Sequence, residues 1–124
     1  MDLSIADILR KCVDLPVVQE RARRDNYAEL VFPTKDTGKW AEALKVFFGE
    51  AAKPAGENPT KDQEKLTDEF GGVKKGQTLF CKPCEDKFMI AMFWPWGNGE
   101  HTTLKLAVTT APKKGLFNFF SKSA

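Results

Sequence analysis

Histidine and tyrosine each occur once in this 124-residue chain, and cysteine occurs three times. No apolar run approaches the roughly 20 residues that a membrane helix needs. With His101 as the one histidine there is no HExxH motif. A Ser-His-Asp order, a Walker loop and a dinucleotide fingerprint are also missing. Three cysteines cannot all pair within one chain, which suits a reducing compartment. Charge of one sign is not in excess either: 19 basic against 17 acidic residues leave +2, too balanced to imply a nucleic-acid partner. The start, Met1-Asp2-Leu3-Ser4, has an acid where a signal peptide carries bases, so a cytoplasmic protein is expected.

Apolar material is plentiful. Hydrophobic residues make up 42% and charged residues 29%, with ten Phe and three Trp. That is enough to offset the entropy of ordering, and it excludes a disordered or collagen-like chain. The length predicts one domain over residues 1–112, followed by a basic, aromatic tail over 113–124.

Ile5, Ile8, Leu9, Cys12 and Val13 lie at the spacings of a buried helical stripe, with Asp2 or Ser4 as cap. Pro16 interrupts it, and Asp14 can cap a second short helix carrying Val17, Val18 and Ala22. Tyr27 to Phe32 alternates as a strand ended by Pro33. A helix follows, capped by Asp36 or Thr37, with Trp40, Leu44, Phe47 and Phe48 on one face and Gly49 at its end. Residues 50–59 are a polar connector. Thr60 and Gln63 form a capping box for a third, surface helix that turns Leu66 and Phe70 inward and stops at Gly71-Gly72. Three strands complete the pattern: Thr78 to Lys82, Lys87 to Trp94 and His101 to Thr110. The expected fold is α+β, a four-stranded, mainly antiparallel sheet with helices on one face.

Asn98-Gly99 between apolar strands signals a tight hairpin of type I′. That places Trp96 opposite His101, Trp94 opposite Thr103 and Phe93 opposite Leu104. One sheet face then collects Met89, Ala91, Phe93, Leu104, Leu106 and Val108 as core. The other carries Phe88, Ile90, Met92, Trp94 and Trp96, an apolar stripe beside the polar Thr103, Lys105 and Thr109. Such a stripe needs a cover or a partner. A rigid indole buries much area at little rotamer cost, so Trp94 and Trp96 mark a contact surface, with His101 stacked on Trp96.

Cys81-Lys82-Pro83-Cys84 resembles the redox motif of thioredoxin-like proteins over these four residues. The resemblance implies a dithiol with Cys81 as the attacking thiol. Phe80 stands where that family carries Trp, and a strand rather than a helix follows. Zinc is a second option, with Cys81 and Cys84 as one knuckle and Cys12 and His101 completing a Cys3His set. The third is a hairpin turn at Pro83-Cys84-Glu85-Asp86, with Cys12 a small core residue. Residues 101–124 hold four Lys and no acid. The segment Lys113 to Lys122, with three Phe, is expected to dock on its own domain, onto the apolar stripe of the sheet. The reading that follows is a non-catalytic binding or adaptor module for a protein or small ligand, without a cofactor. A thiol-redox or zinc protein centred on Cys81 and Cys84 is the alternative.

Overall fold

The computed structural model describes residues 4–110. Around the Asn98-Gly99 reversal, strands Lys87–Pro95 (β4) and His101–Thr110 (β5) pair in the register expected from the hairpin, Trp94 against Thr103 and Phe93 against Leu104. The turn itself is of another kind. Trp96 and His101 close a four-residue loop in which the Gly99 N–H bonds the Trp96 carbonyl at 3.1 Å, and Gly99 alone takes a positive φ, 72°. Asn98 stays out of the left-handed region because its side chain has another task. Its Oδ1 accepts from the amides of Glu100 (2.8 Å) and His101 (3.2 Å), capping the loop from within.

Thr78–Cys84 (β3) flanks β4, and Tyr27–Pro33 (β2) flanks β5. A fifth strand, Gln19–Arg23 (β1), lies outside β2, giving an antiparallel sheet in the order β1-β2-β5-β4-β3. The sheet is thus five-stranded, not four-stranded, and the segment read as a second short helix is this extra strand. Val17 and Val18 are exposed, so no apolar helical stripe forms there. Pairing with β2, interrupted by a bulge between Glu20 and Ala22, holds the segment extended instead. Its exposed charges suit an edge.

Helices Ile5–Lys11 (α1) and Thr37–Phe48 (α2) cover one face of the sheet. Ser4 and Asp7 cap α1 reciprocally. Ile8, Trp40, Leu44 and Phe48 pack onto Leu30, Phe32, Met89, Ala91, Phe93, Leu104 and Leu106. The Trp40 indole donates to the Pro16 carbonyl at 3.2 Å and stacks on Phe32. Val13, expected in the α1 stripe, is instead 75% exposed, because the helix has ended at Lys11.

Helices lie on both faces, not one. Lys61–Thr67 (α3), with the Thr60–Gln63 capping box in place, sits over the opposite face. Leu66 and Val73, the latter in the loop beyond α3, close over Leu79, Phe88, Ile90, Met92 and Ala107. The connector before α3 is fastened to the β3 edge. Lys53 and Leu79 exchange backbone bonds of 3.1 and 2.9 Å. The Lys53 side chain is 1% exposed, and its ammonium donates to the carbonyls of Pro54, Lys75 and Gln77. Among the described residues no helix is long and apolar enough to cross a membrane. The tail, residues 113–124, lies outside the described residues.

Candidate functional site

The apolar stripe on β4 divides into two parts. Phe88, Ile90 and Met92, expected on a contact surface, are at most 1% exposed beneath α3 and its following loop. They are interior, and a partner cannot reach them without unfolding that cover. The reason is visible in Leu66 and Val73, which supply the lid that a strand with two apolar faces requires.

Trp94 marks the boundary. Its ring packs on Gly71, where chain reversal after Phe70 brings main chain against the indole, and Lys105 places its ammonium 3.7 Å from the ring centroid. The same ammonium donates to the Phe70 carbonyl at 2.9 Å, so one lysine ties the α3 loop to the sheet. Burial lowers the Lys105 pKa, and Glu29 acts against that shift. The indole Nε1 of Trp94 has no hydrogen-bond partner among the described residues.

Among the described residues, no helix packs on the sheet end beyond Trp94. Trp96 follows Pro95 and is half-buried; its indole N–H donates to Thr103 Oγ1 at 2.8 Å, which fixes the ring on the sheet. His101 lies 5.0 Å from Trp96, ring centroid to centroid, and Asn98 Nδ2 stands 3.1 Å from its Nδ1. On the other side the Arg21 guanidinium lies 5.3 Å from the Trp96 ring centroid. Arg21 is held in turn by Gln19 Oε1 at 3.3 Å and Glu29 Oε2 at 3.5 Å. Glu29 also accepts from the Tyr27 hydroxyl at 2.6 Å, and Tyr27 stacks on Phe70. Aromatic rings and cations therefore alternate across β4, β5, β2 and β1 on one face. Sequence reasoning found Trp96 and His101 through the hairpin. It placed Arg21 on a solvated helix end, because the strand that carries it looks helical in isolation, and with that strand unseen it did not single out Tyr27 and Glu29 on the neighbouring strand.

This arrangement offers flat stacking, cation–π attraction and hydrogen bonding. His101 adjoins Asn98 and Trp96, with no nucleophile aligned on it in any hydrogen bond described.

The cysteines are kept apart by the same strand geometry. Cys81 and Cys84 lie three residues apart on β3, so their side chains leave opposite faces. Three extended residues also separate their Cα atoms by about 10 Å, beyond the roughly 7 Å limit for a disulfide. All three thiols are free. Cys12 belongs to the core under α1 and α2 and Cys81 to the core under α3, so the sheet separates them. Among the described residues no group of three His, Cys, Asp or Glu side chains is placed to hold a metal ion. Nor is Cys81 activated: burial pushes its thiol far above the ordinary range, opposite to an attacking thiolate.

The two buried thiols and the half-buried Tyr27 should make the fold alkali-sensitive. Burial raises the pKa of Cys12 and Cys81 above 9.0, and burial with the Glu29 hydrogen bond raises that of Tyr27 above 10.0. Above pH about 9 for the thiols, and above about 10 for Tyr27, the unfolded chain releases protons that the folded chain keeps, so these groups lower stability as pH rises. Lys53 and Lys105, both lowered by burial from 10.5, act in the opposite sense, adding stability as pH rises toward that value. Between pH 9 and 10 the two thiols and the two lysines offset one another; above about 10 Tyr27 joins the thiols, and above 10.5 the lysines contribute no further change, so the urea midpoint should decline between pH 10 and 11. Cys81→Ala should remove part of the decline. A level or rising midpoint would contradict the burial argument.

Comparison with known proteins leaves this geometry to speak for itself: the chain matches no family model, no curated protein and no solved structure.

Proposed function

We propose that the chain is a non-catalytic binding module that contacts another protein through the Trp96 end of its sheet. The observation that carries this reading is Trp96 itself, a half-exposed ring held flat by Thr103 and flanked by the Arg21 guanidinium and His101. Ordering that ring before a partner arrives removes most of the entropy cost of using it, which is how a tryptophan becomes a dominant contact. Trp96, Arg21 and His101 line neither of the described grooves. Small ligands favour concave sites that bury most of their area, so a macromolecular face fits better. Arg21 adds a planar donor array whose position is already set by Gln19 and Glu29.

Trp96→Ala should reduce partner retention by immobilised full chain at least about tenfold, the loss typical of a central aromatic anchor. Val46→Ser, at an exposed position on α2 across the sheet, should retain as much as the wild type. Equal retention by Trp96→Ala and wild type would place the contact elsewhere.

A further inference from the structure

A groove of about 900 Å³ runs beside the β3 edge, between that strand, the end of α2 and the start of α3. Phe47, Ala51, Ala52 and Pro83 supply its apolar lining. Its charged lining is mainly acidic, with Glu50, Glu57 and Asp62 set against Lys82, while the Lys53 ammonium is committed to three carbonyls. The groove is separate from the Trp96 surface.

Main chain is on offer in it. Leu79 uses its outward N–H and C=O on Lys53. With a period of two, Cys81 presents the next outward pair, and among the described residues no backbone bond continues the ladder there. Pro83, the next outward position, has no N–H, so the opening admits one rung and not a long added strand.

We infer that this groove is the docking site of the chain's own segment Lys113–Lys122. Three observations converge on that occupant. The first is chemical: Leu116, Phe117, Phe119 and Phe120 match the apolar lining, while Lys113, Lys114 and Lys122 match Glu50, Glu57 and Asp62, and the segment contains no acid. The second is position. β5 ends at Thr110 opposite Lys87, and Lys87 pairs with Cys84, so the chain leaves the sheet two strand spacings, about 10 Å, from the end of β3. The third is reach. Ala111 and Pro112 span at most about 7 Å and the ten residues after them at most about 35 Å, enough to bridge that distance and run the length of the groove. Returning along β3, the segment runs antiparallel to it, the sense in which Lys53 already pairs with Leu79. Docking here also differs from docking on the β4 stripe, whose inner part α3 already occupies.

The test uses the full chain. Replacing Phe117, Phe119 and Phe120 together with serine should speed hydrogen exchange of the Cys81 amide about tenfold, with the Leu79 amide unchanged. Glu57→Lys with Asp62→Lys, which reverses the groove's charge without altering the segment, should produce the same rise. Unchanged Cys81 exchange in either variant overturns the inference. So does protection that grows with protein concentration, because a second copy would then be filling the groove.

Discussion

Gly71→Ala should destabilise the protein by about 3 kcal/mol, with two causes of comparable size. A Cβ at this position would stand 2.5 Å from Cη2 and 2.8 Å from Cζ2 of Trp94, inside any tolerable contact. Overpacking of this kind costs about 1–3 kcal/mol. Gly71 also has φ +103°, where an L side chain adds about 1–2 kcal/mol. The indole cannot simply retreat, because Lys105 covers its ring while bonding the Phe70 carbonyl. Combining Gly71→Ala with Trp94→Leu separates the causes. The smaller side chain should make the double variant more stable than the sum of the single losses predicts, leaving only the backbone part. Strict additivity would show that Trp94 is not the obstacle. Either measurement needs only urea unfolding of the purified chain.

Lys53→Met should cost about 3 kcal/mol. The substitution keeps the apolar stem and removes only the ammonium, each of whose three protons meets a main-chain carbonyl. Charge-assisted bonds contribute about 1.5–3 kcal/mol apiece, and release from the penalty of burying a charge offsets part of the loss. The effect should be local before it is global. Pro54 belongs to the connector, whereas Lys75 and Gln77 precede β3, so the lysine joins segments that nothing in the nearby sequence would bring together. Amides of Lys53 and Leu79 should therefore exchange faster in the variant even at low denaturant. A loss below about 1 kcal/mol would mean that water replaces the ammonium without strain.

Most strands and helices follow from local rules, and the exceptions share a cause. Trp40, Leu44 and Phe48 repeat at helical spacing, and Met89, Ala91 and Phe93 alternate, so α2 and β4 announce which face they bury. β1 announces nothing: four of its five residues are exposed, and its extended state comes from pairing with β2. Because β1 was invisible as a strand, so was Arg21 as a neighbour of Trp96. The cover over Phe88, Ile90 and Met92 was hidden differently. α3 turns only a few residues inward, and Val73 completes the lid from a loop without periodicity. Lys53 looked like one more polar residue in a connector. Its partners are carbonyls, which every residue has, so no side-chain pattern can point to them.

Strand order has a consequence for biosynthesis. β5 occupies the middle of the sheet, with Pro33 of β2 paired to His101 and Tyr27 to Ala107, roughly 70–80 residues downstream. A ribosome therefore delivers the central strand after all four of its companions. Until it emerges, β2 and β4 each present an unsatisfied margin to solvent or to a chaperone, and the nascent hairpins have nothing to join them. Closing such distant pairs is slow, so folding should proceed in one late step that waits for residues 101–110.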